Sequence, residues 1–113
     1  MNFFVGVDIE NIDRFEKVDE SFLNKIYTKE EIKYCLSKKK SSQHLAVRFA
    51  GKEAVIKAFS SFKEKLGFNQ IEILNNEENI PIVKVDGYNK YNIKISLSHN
   101  NGNAIAFAIV LRG

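Results

Sequence analysis

The sequence is poor in the residues that staple small scaffolds together. One cysteine, Cys35, allows neither an internal disulfide nor a cysteine-based zinc site. Scarce thiols suit a reducing compartment, and a cytoplasmic location is expected. There is no tryptophan and a single proline, Pro81. No apolar run approaches the roughly 18 residues that a membrane-crossing helix needs. Met1 to Val7 lacks the basic start and the length of a secretion signal, and it runs straight into Asp8 and Glu10. Charge of one sign is also scarce. Seventeen Lys and Arg against 14 Asp and Glu leave a net +3, and only Arg14, Arg48 and Arg112 are arginines. A nucleic-acid-binding domain needs a clustered basic face, and these charges are scattered. The nine Phe residues are too dispersed for a base-stacking platform.

What remains is a globular mixture, 44% hydrophobic and 27% charged over 113 residues. That length fits one domain, residues 1–113. A chain of this size buries on the order of 65% of its unfolded surface, which leaves little room for a deep internal pocket.

Asn2 to Ile9 reads as a strand, apolar and β-branched until Asp8. Asn11 can cap a short helix to Lys17, and Phe22, Leu23 and Ile26 mark another from Glu20 to Tyr27. Thr28-Lys29-Glu30-Glu31 has the capping-box form, so a helix starts there and runs to about Ser37. Lys38 to Ser42 reads as a loop. From Gln43 to Phe59 apolar and small residues recur at helical spacing, which predicts a long central helix able to pack close to another backbone. After Gly67 the pattern changes to strands: Gln70–Leu74, Ile80–Val85, Asn92–Ser98 and Ala104–Leu111. The expected fold class is α+β: an N-terminal strand, a helical middle and an antiparallel C-terminal sheet.

Three constellations carry chemistry. Asp8 and Glu10 lie two apart at a strand end, so both carboxylates share a face. They read either as a solvated terminus or as half of a magnesium site, which takes one or two carboxylates plus phosphate oxygens. Phe49, Glu53 and Lys57 are spaced by four and form one helix stripe. Glu53 and Lys57 are either a surface ion pair or, since the helix looks buried, belong with Lys52 to a set of charges that needs a metal and an anion as partners. Ser96-Leu97-Ser98-His99 ends a strand and can bind phosphate oxygens, or His99 is simply a hydrogen-bonded structural residue. Neighbours on a strand point apart and no G-x-S-x-G elbow is present, so a Ser98–His99 hydrolase is not expected. His44 reads as a surface or helix-start residue, and Cys35 as a small buried hydrophobe.

In this order and at these separations, the constellations resemble the holo-acyl-carrier-protein synthase group of 4′-phosphopantetheinyl transferases. Gly6-Val7-Asp8-Ile9 with Arg14 resembles the family's N-terminal motif, and Tyr27-Thr28 with Glu31 its F-T-x-x-E segment. Arg48-Phe49-Ala50-Gly51-Lys52-Glu53-Ala54 with Lys57-Ala58 resembles R-F-A-A-K-E-A…K-A, and Ser96-Leu97-Ser98-His99 resembles S-[IL]-[ST]-H. Pro81 stands where the family often has Gly-Lys-Pro before a strand. The resemblance spans nearly the whole chain, at the length of the small trimeric subclass. It implies the phosphopantetheinyl transferase fold and transfer of phosphopantetheine from CoA to a serine of apo acyl carrier protein, with Mg2+ and release of 3′,5′-ADP. It implies Asp8 and Glu53 as metal ligands, with Glu10 as a weaker third candidate, and Asp8, Glu53 and Lys57 as the catalytic set. It further implies Arg48, Lys52, Lys57, Ser98 and His99 at CoA, and Arg14 at the carrier protein. The implied assembly is a homotrimer with sites between subunits.

One departure stands out. Where the family has a Gly-Thr-Gly turn, this chain has Phe59-Ser60-Ser61-Phe62. Without glycine the central helix is expected to continue to about Lys65 and turn at Gly67. The departure leaves open a non-catalytic relative that binds CoA or carrier protein. Retention of Asp8, Glu53, Lys57 and His99 together argues for catalysis.

Overall fold

The structure, a computed structural model, describes residues 2–112. Strand β1 (Phe3–Asn11) leads into a 3-10 turn (Ile12–Phe15), then helices α1 (Glu20–Ile26), α2 (Lys29–Leu36) and α3 (Ser41–Ser60). A 3-10 turn (Phe68–Gln70) precedes β2 (Ile71–Asn75), β3 (Pro81–Val85), β4 (Asn92–His99) and β5 (Asn103–Leu111). Local signals set most boundaries. The Asn11 side chain accepts from Asp13 N at 2.9 Å, and Asp19 caps α1 by accepting from Phe22 N at 2.8 Å. Thr28 and Glu31 close the expected capping box, with Thr28 N donating to Glu31 Oε1 at 2.9 Å.

The strands do not form one C-terminal sheet. β1 pairs antiparallel with β5, which pairs with β4, in the order β1-β5-β4. β2 and β3 form a separate hairpin, and β3 packs beside β4 without joining it. The register β1 to β5 runs Phe3↔Leu111 through Asn11↔Asn103.

α3 lies across one face of the three-stranded sheet. The strand residues beneath it are small: Gly6 on β1 and Ala104, Ala106 and Ala108 on β5, all buried. Gly6 permits the closest approach. A Cβ there would sit 1.9 Å from the Ala54 carbonyl oxygen, a distance no side chain tolerates. α3 supplies side chains to both hydrophobic clusters, one over the sheet and one beneath α1 and α2.

The opposite sheet face is apolar and open. Val5, Val7 and Ile9 pair across to Ile109, Phe107 and Ile105, and Ile9 is 61% exposed. Side chains paired across strands share a face, so these residues form one continuous strip.

α3 differs from expectation at both ends. It starts at Ser41, which shortens the preceding loop, and it stops at Ser60 instead of continuing to Lys65. Lys63 N donates to Ser60 O at 3.1 Å and Glu64 N to Phe59 O at 3.2 Å. This is a Schellman closure, with Lys63 at φ +63° in the place glycine commonly takes. The left-handed residue costs about 1 kcal/mol. Aromatic packing offsets it: Phe62 lies 4.7 Å from Phe4, 5.1 Å from Phe59 and 5.6 Å from Tyr91, centroid to centroid. Gly67 therefore makes no left-handed turn, and its φ is −85°.

Candidate functional site

The close contact at Gly6 brings the first constellation together. Asp8 and Glu10 share the helix-facing side of β1 with Gly6, and α3 presents Glu53 and Lys57 beside them. Lys57 Nζ donates to Asp8 Oδ1 at 3.1 Å and to the Val7 carbonyl at 3.0 Å. Asp8 Oδ2 is buried and has no hydrogen-bond partner. Burial and then the Asp8 charge raise the Glu53 carboxyl above its usual range, with Lys57 opposing. Glu10, 8% exposed, is pushed up to about 7, first by burial and then by Asp8. Its oxygen is paired with the Arg14 guanidinium.

Three crowded carboxylates meet two cations that are themselves largely exposed. The excess negative charge and the orphaned Asp8 oxygen are what a hard divalent cation would relieve. No three His, Cys, Asp or Glu side chains among the described residues converge as a complete metal site. Asp8 and Glu53 thus fit magnesium in its usual partial form, completed by phosphate oxygens and water.

The second group borders a cleft of about 340 Å³ at the β4 edge, walled by His44 and Arg48 of α3, Asn75, Asn79 and Pro81 of the hairpin, and His99 of β4. Arg48 is only 2% exposed. Its Nε donates to the Ile73 carbonyl at 2.9 Å, its guanidinium lies 4.5 Å from the Tyr34 ring centroid, and Nη2 has no partner. His99 is exposed and its Nε2 lies 3.1 Å from Gln43 Nε2. Asp8, Glu53 and Lys57 do not line this cleft. Ser98 points to the other side of β4 and lines a depression with Ile9 and Ile105.

Lys52 is a correction. Expected beside phosphate, it is 0% exposed and points into the interior. Its ammonium pairs with Glu31 at 2.5 Å and donates to the Ile26 carbonyl at 2.8 Å and the Phe68 carbonyl at 3.1 Å. An ammonium has three donors, and all three are taken. Glu31 in turn accepts from Ile73 N at 2.7 Å, so Lys52 belongs to a network that fixes α1, α2 and β2 on α3. Sequence reasoning placed Glu31 in its capping box and in the F-T-x-x-E segment without a buried partner, and gave Tyr34, Gln43, Asn75 and Asn79 no part in a site. No local signal marks them, since long-range packing alone assembles the cleft.

An α3-on-antiparallel-sheet domain with crowded carboxylates on one side and a basic cleft on the other has the parts of a phosphate-handling enzyme. The sequence pattern of the 4′-phosphopantetheinyl transferase superfamily matches residues 4–110, and the chain belongs to that superfamily. The holo-[acyl-carrier-protein] synthase of Thermodesulfovibrio yellowstonii is 46% identical over 110 residues, covering 94% of this chain and 96% of the relative. That of Chlorobaculum parvum is 42% identical over 112 residues, covering 94% and 96%. Among solved structures, Helicobacter pylori holo-[acyl-carrier-protein] synthase in complex with coenzyme A superposes with a TM-score of 0.80 at 33% identity, covering 94% of this chain and 98% of that one. The Bacillus anthracis synthase in complex with CoA (3′,5′-ADP) gives 0.84 at 27% identity, covering 97% and 96%.

Proposed function

We propose that this chain transfers 4′-phosphopantetheine from CoA to a serine hydroxyl of an apo acyl carrier protein, with Mg2+, in fatty acid biosynthesis. The carrying observation is the partnerless, buried Asp8 oxygen beside Glu53 and Lys57, in a chain whose close relatives are named for this reaction. The serine oxygen attacks the β-phosphorus of CoA, the pyrophosphate P–O bond breaks, and 3′,5′-ADP leaves with the electron pair. A carboxylate of the Asp8–Glu53 group accepts the serine proton. Asp8 and Glu53 would hold Mg2+, which when bound would supply charge neutralisation at the pyrophosphate. Lys57 adds a cation at the same phosphates once it releases Asp8. Glu10, near neutrality in its titration and bound to Arg14, is the weaker ligand. Arg48 and His99 supply positive charge to the CoA phosphates, and Ser98 adds a hydroxyl from the other side of β4. Arg14, about 58% exposed at its side chain, faces the acidic carrier protein.

The working form is a homotrimer of single-domain subunits, residues 1–113, in the cytoplasm. Support comes from the apolar strip of Val5, Val7, Ile9, Ile105 and Phe107, too continuous to leave in water. Support also comes from the split site, since carboxylates and basic cleft do not share one depression within the chain. No helix among the described residues is long and apolar enough to cross a membrane.

The test mixes the chain with CoA, Mg2+ and several apo carrier proteins and reads the added phosphopantetheine by intact mass. Asp8→Asn and Glu53→Gln are expected to lower transfer by at least about a hundredfold with the fold intact. CoA binding without any mass gain on every carrier would instead establish the non-catalytic relative that the glycine-free turn at Ser60-Ser61 leaves open. Near-normal transfer in either variant would refute the metal assignment.

A further inference from the structure

The cleft at the β4 edge holds one group that the family pattern does not mark. His44 sits one helical turn before Arg48 on α3 and lines the cleft with it. The two are tied together: the His44 carbonyl accepts from Arg48 Nη1 at 3.4 Å, and both side chains rest on Tyr34, the imidazole edge-on at 5.8 Å and the guanidinium at 4.5 Å. His99 reaches the same cleft from β4. No carboxylate lines it, and no carboxylate pairs with Arg48 among the described residues. A guanidinium with a buried, unpartnered Nη2 thus lines this cleft together with two imidazoles and no acid, a set of groups that suits an anion.

We propose that His44 is a phosphate-binding residue of this cleft, and that with His99 it makes the affinity for CoA rise as the pH falls. This rests on the reading above that the cleft takes CoA phosphates. The groups facing His44 are Arg48 on its own helix, Lys38 from the loop after α2, the Tyr34 ring on α2 and His99 on β4; the hairpin offers the neutral Asn75 and Asn79. Burial, then Arg48, Lys38 and His99, hold the imidazole below its ordinary value of 6.5, which favours the neutral ring in the free protein. A phosphate in the cleft reverses that balance, because it offsets the cations and accepts a hydrogen bond from the imidazolium. Binding then takes up a proton, and by linkage affinity falls as pH rises. Gln43 can serve either form of the His99 ring. Its amide nitrogen donates to a neutral ring, and its oxygen, after an amide flip, accepts from a protonated one.

The chain has two histidines, so the untagged protein gives two imidazole signals by proton NMR, assigned with His44→Gln and His99→Gln. Their titration is followed with and without 3′,5′-ADP. Calorimetry gives the affinity for CoA and 3′,5′-ADP at about pH 6.5 and pH 8, a range where a phosphomonoester stays mostly dianionic. The His44 signal is expected to titrate low in the free protein and higher with ligand. Affinity is expected to fall severalfold, up to about tenfold, between the two pH values, the size that uptake of a part of one proton gives over that range. His44→Gln loses most of that change, and His44→Phe, which keeps a ring on Tyr34, loses it equally. Wild-type affinity and pH slope in both variants, or a His44 titration unmoved by ligand, would overturn the proposal and leave the CoA reading standing. A wild-type chain that binds neither ligand at either pH would overturn both.

Discussion

Lys52→Met separates the two roles that Lys52 could have. In the structure its ammonium meets three acceptors, Glu31, the Ile26 carbonyl and the Phe68 carbonyl, with no exposure to solvent. Methionine fills much of the same volume and removes the charge. Glu31 is then a buried carboxylate without its cation, and breaking one side of such a pair costs about 3–5 kcal/mol. At about 4 °C per kcal/mol for a domain of this length, the melting temperature falls by about 12–20 °C. Domains commonly hold about 5–15 kcal/mol in total, so the variant stays folded in the cold and its kinetics can be read there. The assay is a circular-dichroism melt at fixed chain concentration, with KM for CoA measured at low temperature. KM is expected to stay within about twofold of wild type, since no donor of Lys52 is free for a phosphate. Glu31→Gln combined with Lys52→Met removes both charges and is expected to recover at least half of the loss. A wild-type melt with KM raised tenfold would refute the buried role and return Lys52 to the phosphate.

Gly6→Ala places a Cβ against the Ala54 carbonyl and forces α3 off β1; expect a loss of about 2–3 kcal/mol in urea unfolding, with transfer reduced further because Asp8 leaves Glu53 and Lys57. An unfolding midpoint equal to wild type would contradict the close approach. Val7→Lys charges the middle of the apolar strip, opposite Phe107, without touching the α3 side; on the trimer proposed above, sedimentation is expected to shift to monomer, and an assembly unchanged from wild type would refute this strip as the interface.

Legibility followed the range of each interaction. The Thr28 capping box was readable because four consecutive residues contain it. Asp8, Glu53 and Lys57 were readable as a group through family resemblance, and their contact depends on Gly6, whose neighbour Ala54 lies far along the chain. The pairing of β1 with β5 was not readable, because nothing local to Phe3 or Leu111 encodes their register. Lys52 and Glu53 are adjacent in one motif, but a helix turns about 100° per residue, so one enters the interior while the other faces β1. The end of α3 escaped for a similar reason: the left-handed Lys63 follows Phe62, whose ring packs on Phe4 and Tyr91 from distant parts of the sequence. His44 read as a helix-start residue because its companions, Tyr34 and His99, reach it only through the fold.

The shared role of α3 has a consequence for how the molecule comes apart. One helix supplies side chains to both hydrophobic clusters, so neither can dissolve without stripping a face of the other. The sheet half and the helical half therefore have no separate melting points, and no fragment that lacks residues 41–60 retains a core. Exchange of the α3 amides should report global unfolding alone, while the β2–β3 hairpin, attached along fewer faces, opens earlier. The Asp8–Glu53 carboxylates, held between β1 and α3, are thus expected to be lost only in global unfolding, while the cleft wall that the hairpin supplies opens before them.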